Sequence, residues 1–370
     1  MKKKRKPYTQ PFVAPYCPSA GKPLSLSAHT GVLLLNMGGP DSQDSVKPFL
    51  LNLFSDPDIL RLPPLLQPLL ARYIVNSRGD EAKANYAEMP GGGSPQLPLT
   101  RRQAEALTEC LIAKGLTVTT AVAMRYWHPY TTEALSLLRA ERVEQLVVVS
   151  LYPHFSYTTT GSSLNELRRE LARMGWDVPI TVVSGYCKED WYLESLAQCI
   201  QTGLDDGHWS CPIEDVQLLF SAHSLPLLHC KKTGDPYERL TVRSVATVMK
   251  RHFPCNPWDM GFQSKVGNMK WLGPATDGVL TYFAAQKMDN ILVVPVSFVS
   301  DHIETLVELD IEYIPEAREL GLKHVHRAPV MNTHPSFIRG LAQSVVASIQ
   351  QREDAVLIPA QRAKETVVAG

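Results

Sequence analysis

Short apolar runs of the kind that form buried strands recur along this chain, and amphipathic helical patterns separate the earlier ones. The predicted strands cover residues 32–35, 118–124, 145–151, 180–184, 216–221, 260–263 and 291–297, and the predicted helices cover 98–114, 131–140 and 161–174. Alternation of strand and helix is typical of a parallel sheet with helices on both faces. The pattern therefore predicts an α/β fold.

The two halves of the sequence resemble each other. Residues 32–40 are similar to residues 217–226, because each is an apolar strand that ends in a turn containing proline. The strands at 145–151 and 291–297 are each followed by a polar loop and a helical pattern. The repetition indicates two similar α/β lobes.

The lobes are predicted to cover residues 30–205 and 206–350, with their boundary in the stretch 203–212, which contains glycine and proline. Residues 1–29 begin with a basic run and are predicted to form a disordered arm, an organelle transit peptide being the alternative. Residues 351–370 are predicted to be a flexible tail. Ligands of open parallel sheets bind beyond the carboxyl ends of the strands, so we expect an active-site cleft between the lobes.

Composition excludes several functional classes. Lys plus Arg is 37 and Asp plus Glu is 37, so the chain lacks the net positive charge of nucleic-acid-binding proteins and we expect no nucleic-acid partner. No apolar run approaches the roughly 18 residues that a membrane-spanning helix requires. The 7 cysteines include no C-x-x-C pair, which favours reduced thiols in the cytoplasm over disulfides or a zinc site.

Two features at predicted strand ends could carry chemistry. His223 follows an apolar strand, where an imidazole could accept a proton, bind a divalent metal or have a structural role. Asp301 can begin a helix in which Glu304, Glu308 and Glu312 recur every four residues and share one side. Such carboxylates form a solvated face or, if they line a cleft, a site for proton transfer or metal handling.

A third feature is apolar. The stretch 57–74 is rich in leucine and contains prolines that interrupt any long core helix. If exposed, these leucines would form a patch typical of a membrane surface or an apolar ligand, and if packed they would belong to the core.

Seven segments, in order along the chain, resemble motifs of the ferrochelatase family. They are residues 31–40 with 46–54, then 91–95, 159–165, 221–226, 263–267, 271–274 and 301–312. The resemblance extends over about residues 31–350. It implies a lyase that inserts ferrous iron into a porphyrin and releases two protons, the terminal step of haem biosynthesis. The implied fold is a pair of Rossmann-like lobes, each a parallel β-sheet flanked by helices, with the porphyrin in the cleft.

The resemblance also implies roles for individual residues. His223 is the active-site imidazole and Glu304 the essential carboxylate, and whether His223 accepts protons or contacts iron stays open. The residues expected to handle the metal are His223, Glu304, Asp301, Glu308 and Glu312. The residues expected to contact the porphyrin are Met37, Arg78, Arg125, Tyr126, Trp271, Phe298 and His302. No organic cofactor is needed.

Departures from the family pattern carry information. Members with a [2Fe–2S] cluster have a cysteine where this chain has Tyr157 and three more near the C-terminus, whereas no cysteine follows Cys255, so we expect no cluster. Arg78 matches one of a pair of propionate-contacting arginines, but its neighbour is Ser77, which leaves part of that contact unmatched. Met37 stands where members acting on coproporphyrin commonly have Tyr, and it favours protoporphyrin IX as the substrate.

Alternative functions remain at this stage. The chain could metallate coproporphyrin III, or insert another divalent metal into a related tetrapyrrole. A non-catalytic tetrapyrrole carrier would need the cleft but not its bases. We expect a cytoplasmic protein that associates weakly with the inner membrane surface, and a monomer rather than an oligomer.

Overall fold

The computed structural model describes residues 24–60, 65–265, 267 and 269–357, whose strands form two parallel sheets. The strands of the first sheet are β1 (Thr30–Asn36), β2 (Val118–Met124), β3 (Gln145–Ser150) and β4 (Ile180–Val183), in the order β2-β1-β3-β4. Those of the second sheet are β5 (Gln217–His223), β6 (Trp258–Gln263), β7 (Asn290–Pro295) and β8 (His324–Arg327), in the order β6-β5-β7-β8. The matching strand orders confirm the prediction of two similar lobes.

Helices cover both faces of each sheet. They are α1 (Val46–Phe54), α2 (Gln67–Ala87), α3 (Gln96–Ala113), α4 (Thr131–Ala140), α5 (Ser162–Met174), α6 (Asp190–Asp206), α7 (Leu227–Thr233), α8 (Tyr237–His252), α9 (Thr276–Ala285), α10 (Ile314–Glu319) and α11 (Pro335–Leu357). Two segments, Tyr157–Gly161 and Glu304–Tyr313, are π-helical. Short 3₁₀ turns lie at Gln43–Ser45 and Ile213–Asp215.

The alternation of side chains along the strands explains the layers. In β1, Leu33 and Leu35 face α4 and α5, whereas Val32 and Leu34 face the opposite way, into a core that contains α3. That second core continues without interruption to Phe220 of the second sheet. The inner faces of the two sheets therefore share one hydrophobic core.

Two helices pack across the lobes. Helix α11 follows the last strand of the second sheet, yet it packs on α3 and β4 of the first lobe. Helix α6 precedes β5 and packs on α8 and β7. At Gly203 of α6 a Cβ atom would lie 2.9 Å from Ala328, so glycine permits this close approach. The lobe limits at 205/206 stay a prediction.

The structure differs from the sequence-based expectations at several elements. β8 was not predicted, because its only apolar residue is Val325, between His324 and His326, so no apolar run is present. Of the predicted arm, residues 24–29 pack on the first lobe, where Leu24 is buried and the Ser25 N–H donates to Gln145, and residues 1–23 lie outside the described residues. Of the predicted tail, residues 351–357 continue α11, and 358–370 lie outside the described residues.

Candidate functional site

The loops that follow the central strands carry most of the predicted site residues. In each sheet the chain passes from the first strand to its neighbour on one side and then to its neighbour on the other side. The strand order therefore reverses between β1 and β3 in the first sheet and between β5 and β7 in the second. Crevices for ligands form at such positions. His223 is the last residue of β5, and Glu304 begins the π-helix that follows β7. Met37 directly follows β1.

His223 and Glu304 form a close pair. The His223 Nδ1 atom lies 3.0 Å from Glu304 Oε1, and the two side chains are 36% and 14% exposed. At this distance the two groups form an ion pair when the imidazole is protonated. His223 Nδ1 and Glu304 Oε2 are buried and have no hydrogen-bond partner among the described residues.

The electrostatic surroundings favour the charged form of this pair. Burial alone would lower the pKa of His223, but the Glu304 carboxylate, with Glu308 behind it, raises that pKa above its ordinary value. Burial alone would raise the pKa of Glu304, but His223 and then His302 hold it below its ordinary value. Burial lowers the pKa of His302, against the opposing effect of the Glu304 and Asp301 charges. Within the pair, each member favours the charged form of the other.

Glu308 lies behind the pair and differs from it in protonation. Burial and the Glu304 charge raise its pKa to about 8, so it holds a proton at pH 7. The Ser264 hydroxyl donates to its Oε2 at 2.7 Å, and the Gln263 amide approaches the same atom at 3.3 Å. Burial also raises the pKa of Glu312, with Glu316 and Glu81 adding to the effect. The carboxyl groups predicted to share one side of a helix thus influence one another.

The helix that carries them is wider than expected. The spacing predicts an α-helix from Asp301 onward, whereas Glu304–Tyr313 is a π-helix with bonds between residues five apart. The Gln263 side chain donates to the Glu304 carbonyl at 2.9 Å, and this external donor competes with the N–H that would bond that carbonyl in an α-helix. π-helical segments are frequent at functional sites.

Asp301 has its own hydrogen-bond partners beside this group, and its metal-handling role stays a prediction. Its Oδ1 accepts from the Thr305 hydroxyl at 3.0 Å and lies 3.4 Å from Arg327, and its Oδ2 accepts from the Asn332 amide at 2.8 Å. Both oxygens are therefore engaged in holding the start of the helix. Within the described ranges, no group of three or more His, Cys, Asp or Glu side chains is arranged to hold a metal ion.

The first lobe contributes a different polar cluster. Asp56, which follows α1, has a side chain only 1% exposed and lies 3.0 Å from the Arg125 guanidinium. It accepts a hydrogen bond from the Tyr126 hydroxyl at 2.7 Å and another from the Ser162 hydroxyl. The Arg125 Nε atom also donates to Ser162 at 2.8 Å. Tyr126 is 2% exposed and its hydroxyl points into this cluster, and its contact with the porphyrin stays a prediction.

The remaining predicted porphyrin contacts are dispersed. Met37 and Arg78 are half-buried, the first after β1 and the second on α2. Phe298 packs edge-on against His302, with ring centroids 4.4 Å apart. Trp271 forms a backbone bridge to Pro226, in the loop after His223. The roles assigned to these residues stay predictions.

Two residues near the site were not singled out from the sequence. Burial raises the pKa of Tyr152 above its ordinary value, while the Arg125 charge opposes this shift and the Glu304 charge adds to it. This phenol therefore lies within electrostatic range of polar groups from both lobes. Its position after the predicted strand 145–151 could have identified it. Asp56 precedes a proline in an ordinary turn sequence, and no local signal distinguishes it.

Comparisons with known proteins point to one family. The model of the family described as Ferrochelatase matches residues 29–349. A ferrochelatase of Geobacter metallireducens is 48% identical over 321 residues, which cover 86% of this chain and 98% of that protein. A ferrochelatase of Gloeothece citriformis is 42% identical over 325 residues, covering 87% of this chain and 83% of that protein.

A solved structure described as SirB from Bacillus subtilis with Fe3+ has a similar fold. Its TM-score is 0.52 at 11% sequence identity, and the similarity covers 88% of this chain and 98% of that one. At this identity the likeness concerns the two-lobed fold alone.

Proposed function

This chain belongs to the ferrochelatase family and inserts iron into a porphyrin in haem biosynthesis, and on that premise we propose that His223 and Glu304 accept the porphyrin's two protons. The observation that carries this proposal is their 3.0 Å contact at the carboxyl ends of neighbouring strands. A proton acceptor must lie within hydrogen-bond reach of the proton it takes, and the His223 imidazole is partly exposed, so that a bound ligand can approach it.

The protonation states of the pair bear on how it works. Insertion of Fe²⁺ into a neutral porphyrin releases two pyrrole protons, and the ionised Glu304 can take one of them directly. His223 can take the second proton, because a neutral imidazole has one ring nitrogen without a hydrogen. The Glu304 charge, which raises the pKa of His223, favours this transfer. Both side chains must then release their protons to solvent before the next turnover.

We propose protoporphyrin IX and ferrous iron as the substrates. The support is Met37, which follows β1 beside the crevice and takes the place of a tyrosine common in members that act on coproporphyrin. Turnover of purified protein with ferrous iron and each porphyrin, followed by absorption, tests this choice. We expect faster turnover of protoporphyrin IX, and faster turnover of coproporphyrin III would contradict it.

The same assay separates an enzyme from a tetrapyrrole carrier. His223→Ala should bind porphyrin as the wild type does but turn it over at least roughly 100-fold more slowly, the loss typical of removing a proton-transfer group. Wild-type turnover in this variant would remove His223 from the proposal. His252→Ala is a matched control, because His252 also faces a glutamate, at 3.9 Å from Glu194, on the surface of α8.

An exposed apolar patch supports weak association with a membrane surface. Four apolar side chains just before α2 and in its first two turns are exposed: Leu65, Leu66, Leu69 and Tyr73, at 87%, 54%, 63% and 69%. Patches of this kind mark contacts with membranes or partners. None of the helices described is long and apolar enough to cross a membrane. We propose a cytoplasmic protein that touches the membrane through this patch, and the six free cysteines of the described residues are consistent with a reducing compartment.

Sedimentation with anionic vesicles tests the patch. Each buried leucine contributes about 1.5–3 kcal/mol, and the apolar contribution is insensitive to salt. Replacing Leu65 and Leu66 by Ser should therefore reduce the fraction bound at high salt, with turnover unchanged. Ile112→Ser is a control, since Ile112 is 57% exposed on α3. Complete release of the wild type by salt would exclude the patch as an anchor.

We also propose that the protein is a monomer without a resident iron–sulfur cluster. Tyr157, at the position of a cluster cysteine in other members, contributes its backbone N–H to Asp235 at 2.9 Å. Purified protein should be colourless and sediment as one chain. Stoichiometric iron and acid-labile sulfide would contradict the absence of a cluster. A dimer at micromolar concentration would contradict the monomer.

A further inference from the structure

Tyr237 is bonded to the strand end that carries His223. Its side chain is 6% exposed, and its hydroxyl donates to the backbone carbonyl of His223 at 3.0 Å. Tyr237 thus fixes the end of β5 through the main chain of His223.

Asp235 joins Tyr237 to the first lobe. Its side chain is fully buried, and its Oδ1 accepts from the Tyr237 backbone N–H at 3.0 Å. Its Oδ2 accepts from the Ser156 hydroxyl at 2.8 Å and from the Tyr157 N–H at 2.9 Å, both in the loop between β3 and α5. One buried carboxylate therefore bonds to the cleft loops of both lobes.

A second contact between the lobes lies beside the first. The His154 Nε2 atom and the Ser244 hydroxyl of α8 are 2.7 Å apart, and burial lowers the pKa of His154 to about 3, which keeps this ring neutral. The same ring packs edge-on against Tyr237, with centroids 6.4 Å apart. We call His154, Ser156, Asp235, Tyr237 and Ser244 the interlobe clasp.

We propose that the interlobe clasp sets the position of His223 relative to the first lobe, and that Tyr237 is the positioning residue through which it acts. The proposal rests on the proposed role of His223 as proton acceptor. Proton transfer needs heavy atoms roughly 2.6–3.2 Å apart, and a displacement of about 1 Å can cost on the order of 100-fold in rate. Tyr237 bonds the backbone of His223 rather than its imidazole ring or the Glu304 carboxylate. Its effect is therefore on the position of the ring.

Tyr237→Phe tests the proposal with little change of shape, because only the hydroxyl is lost. We expect kcat to fall about tenfold, with KM for porphyrin and the thermal midpoint nearly unchanged. Tyr186→Phe is the matched control. Tyr186 is equally buried in the same core, and its hydroxyl has no hydrogen-bond partner among the described residues, so its removal should leave kcat unchanged.

Combining Tyr237→Phe with His223→Ala separates positioning from a general structural role. If Tyr237 acts through His223, its substitution should produce no further loss of turnover in the His223→Ala background. An equal loss in both backgrounds, or unchanged kcat in Tyr237→Phe alone, would overturn the proposal.

The two proposals fail in distinguishable ways. Full turnover in His223→Ala would contradict the proposed function and the positioning role with it, whereas loss in His223→Ala without loss in Tyr237→Phe would contradict only the positioning role. Should Tyr237→Phe fail to fold, Ser156→Ala removes one donor to Asp235 and leaves the other in place. It should lower kcat several-fold without changing KM, and wild-type kcat would count against the clasp.

Discussion

Each lobe buries a cluster of polar side chains, and the two clusters differ in how completely their atoms are hydrogen-bonded. In the first lobe, the buried Asp56 carboxylate is bonded by Arg125, Tyr126 and Ser162. In the second lobe, Glu304 Oε2 and the Nδ1 atoms of His223 and His302 are buried without hydrogen-bond partners among the described residues. The described residues thus supply partners for the Asp56 carboxylate but not for these three atoms.

This difference supports the proposed site of the chemistry. Buried polar groups are nearly always hydrogen-bonded, so three unpaired atoms on neighbouring residues, unlike the single Tyr186 hydroxyl, call for an explanation such as a catalytic role. A fully satisfied network instead fixes the geometry of its members. The Asp56 cluster therefore positions Arg125, and we place the proposed proton transfer at the incomplete group around Glu304.

The largest effect is expected at Glu304. Glu304→Gln retains the shape of the side chain but removes its capacity to take a proton, so turnover should fall at least roughly 100-fold while stability is kept. Steady-state assays together with thermal unfolding check both points. Glu194→Gln, at a surface His–Glu contact, serves as the control, and turnover within threefold of wild type in Glu304→Gln would refute the contrast between the lobes.

A substitution in the first cluster should give the converse result. Asp56→Asn removes the charge that faces Arg125, whose side chain is 12% exposed, and should lower the free energy of unfolding by about 2 kcal/mol. Urea denaturation measures this change. Turnover should fall by less than about tenfold, because Asp56 takes no part in proton transfer. A loss of turnover as large as that of Glu304→Gln would contradict the assignment.

The last effect concerns Glu308 and appears as a dependence of stability on pH. Its pKa rises from an ordinary value of 4.5 to about 8 on folding, so the folded protein keeps a proton that the unfolded chain loses between these values. The folded state binds more protons there, and stability therefore falls as pH rises from 4.5 to 8. Glu308→Gln should flatten this decline in urea midpoints measured from pH 5 to 8, and equal slopes would contradict the raised pKa.

The sequence carried most of the information on the fold. Strand β2 occupies Val118–Met124 as predicted, because its apolar β-type run has clear limits. β8 lacks such a run, and its four residues are placed by pairing with β7. The π-helix at Glu304–Tyr313 has the same apolar spacing as an α-helix, so the spacing does not reveal its π-helical hydrogen bonds. The bond from Gln263 to the Glu304 carbonyl joins residues far apart in the sequence, and the spacing does not reveal it either.

The site was predicted in part for a similar reason. His223 and Glu304 follow strands that could be recognised, so their convergence could be expected from strand order. Asp56 lies 70 residues from Tyr126 and 106 from Ser162 along the chain, and nothing local in the sequence indicates those contacts. The engagement of Asp301 by Asn332 and Arg327 is equally non-local.

The rate of metal insertion in a single turnover tests the central claim most directly. Porphyrin is bound first to wild type and to the His223→Ala/Glu304→Gln double variant, and ferrous iron is then added while absorption reports insertion. Because the two side chains act as one unit, the double variant should bind porphyrin normally and insert iron at least roughly 100-fold more slowly, with no greater loss than the worse single variant. Insertion at the wild-type rate with porphyrin bound would contradict the account.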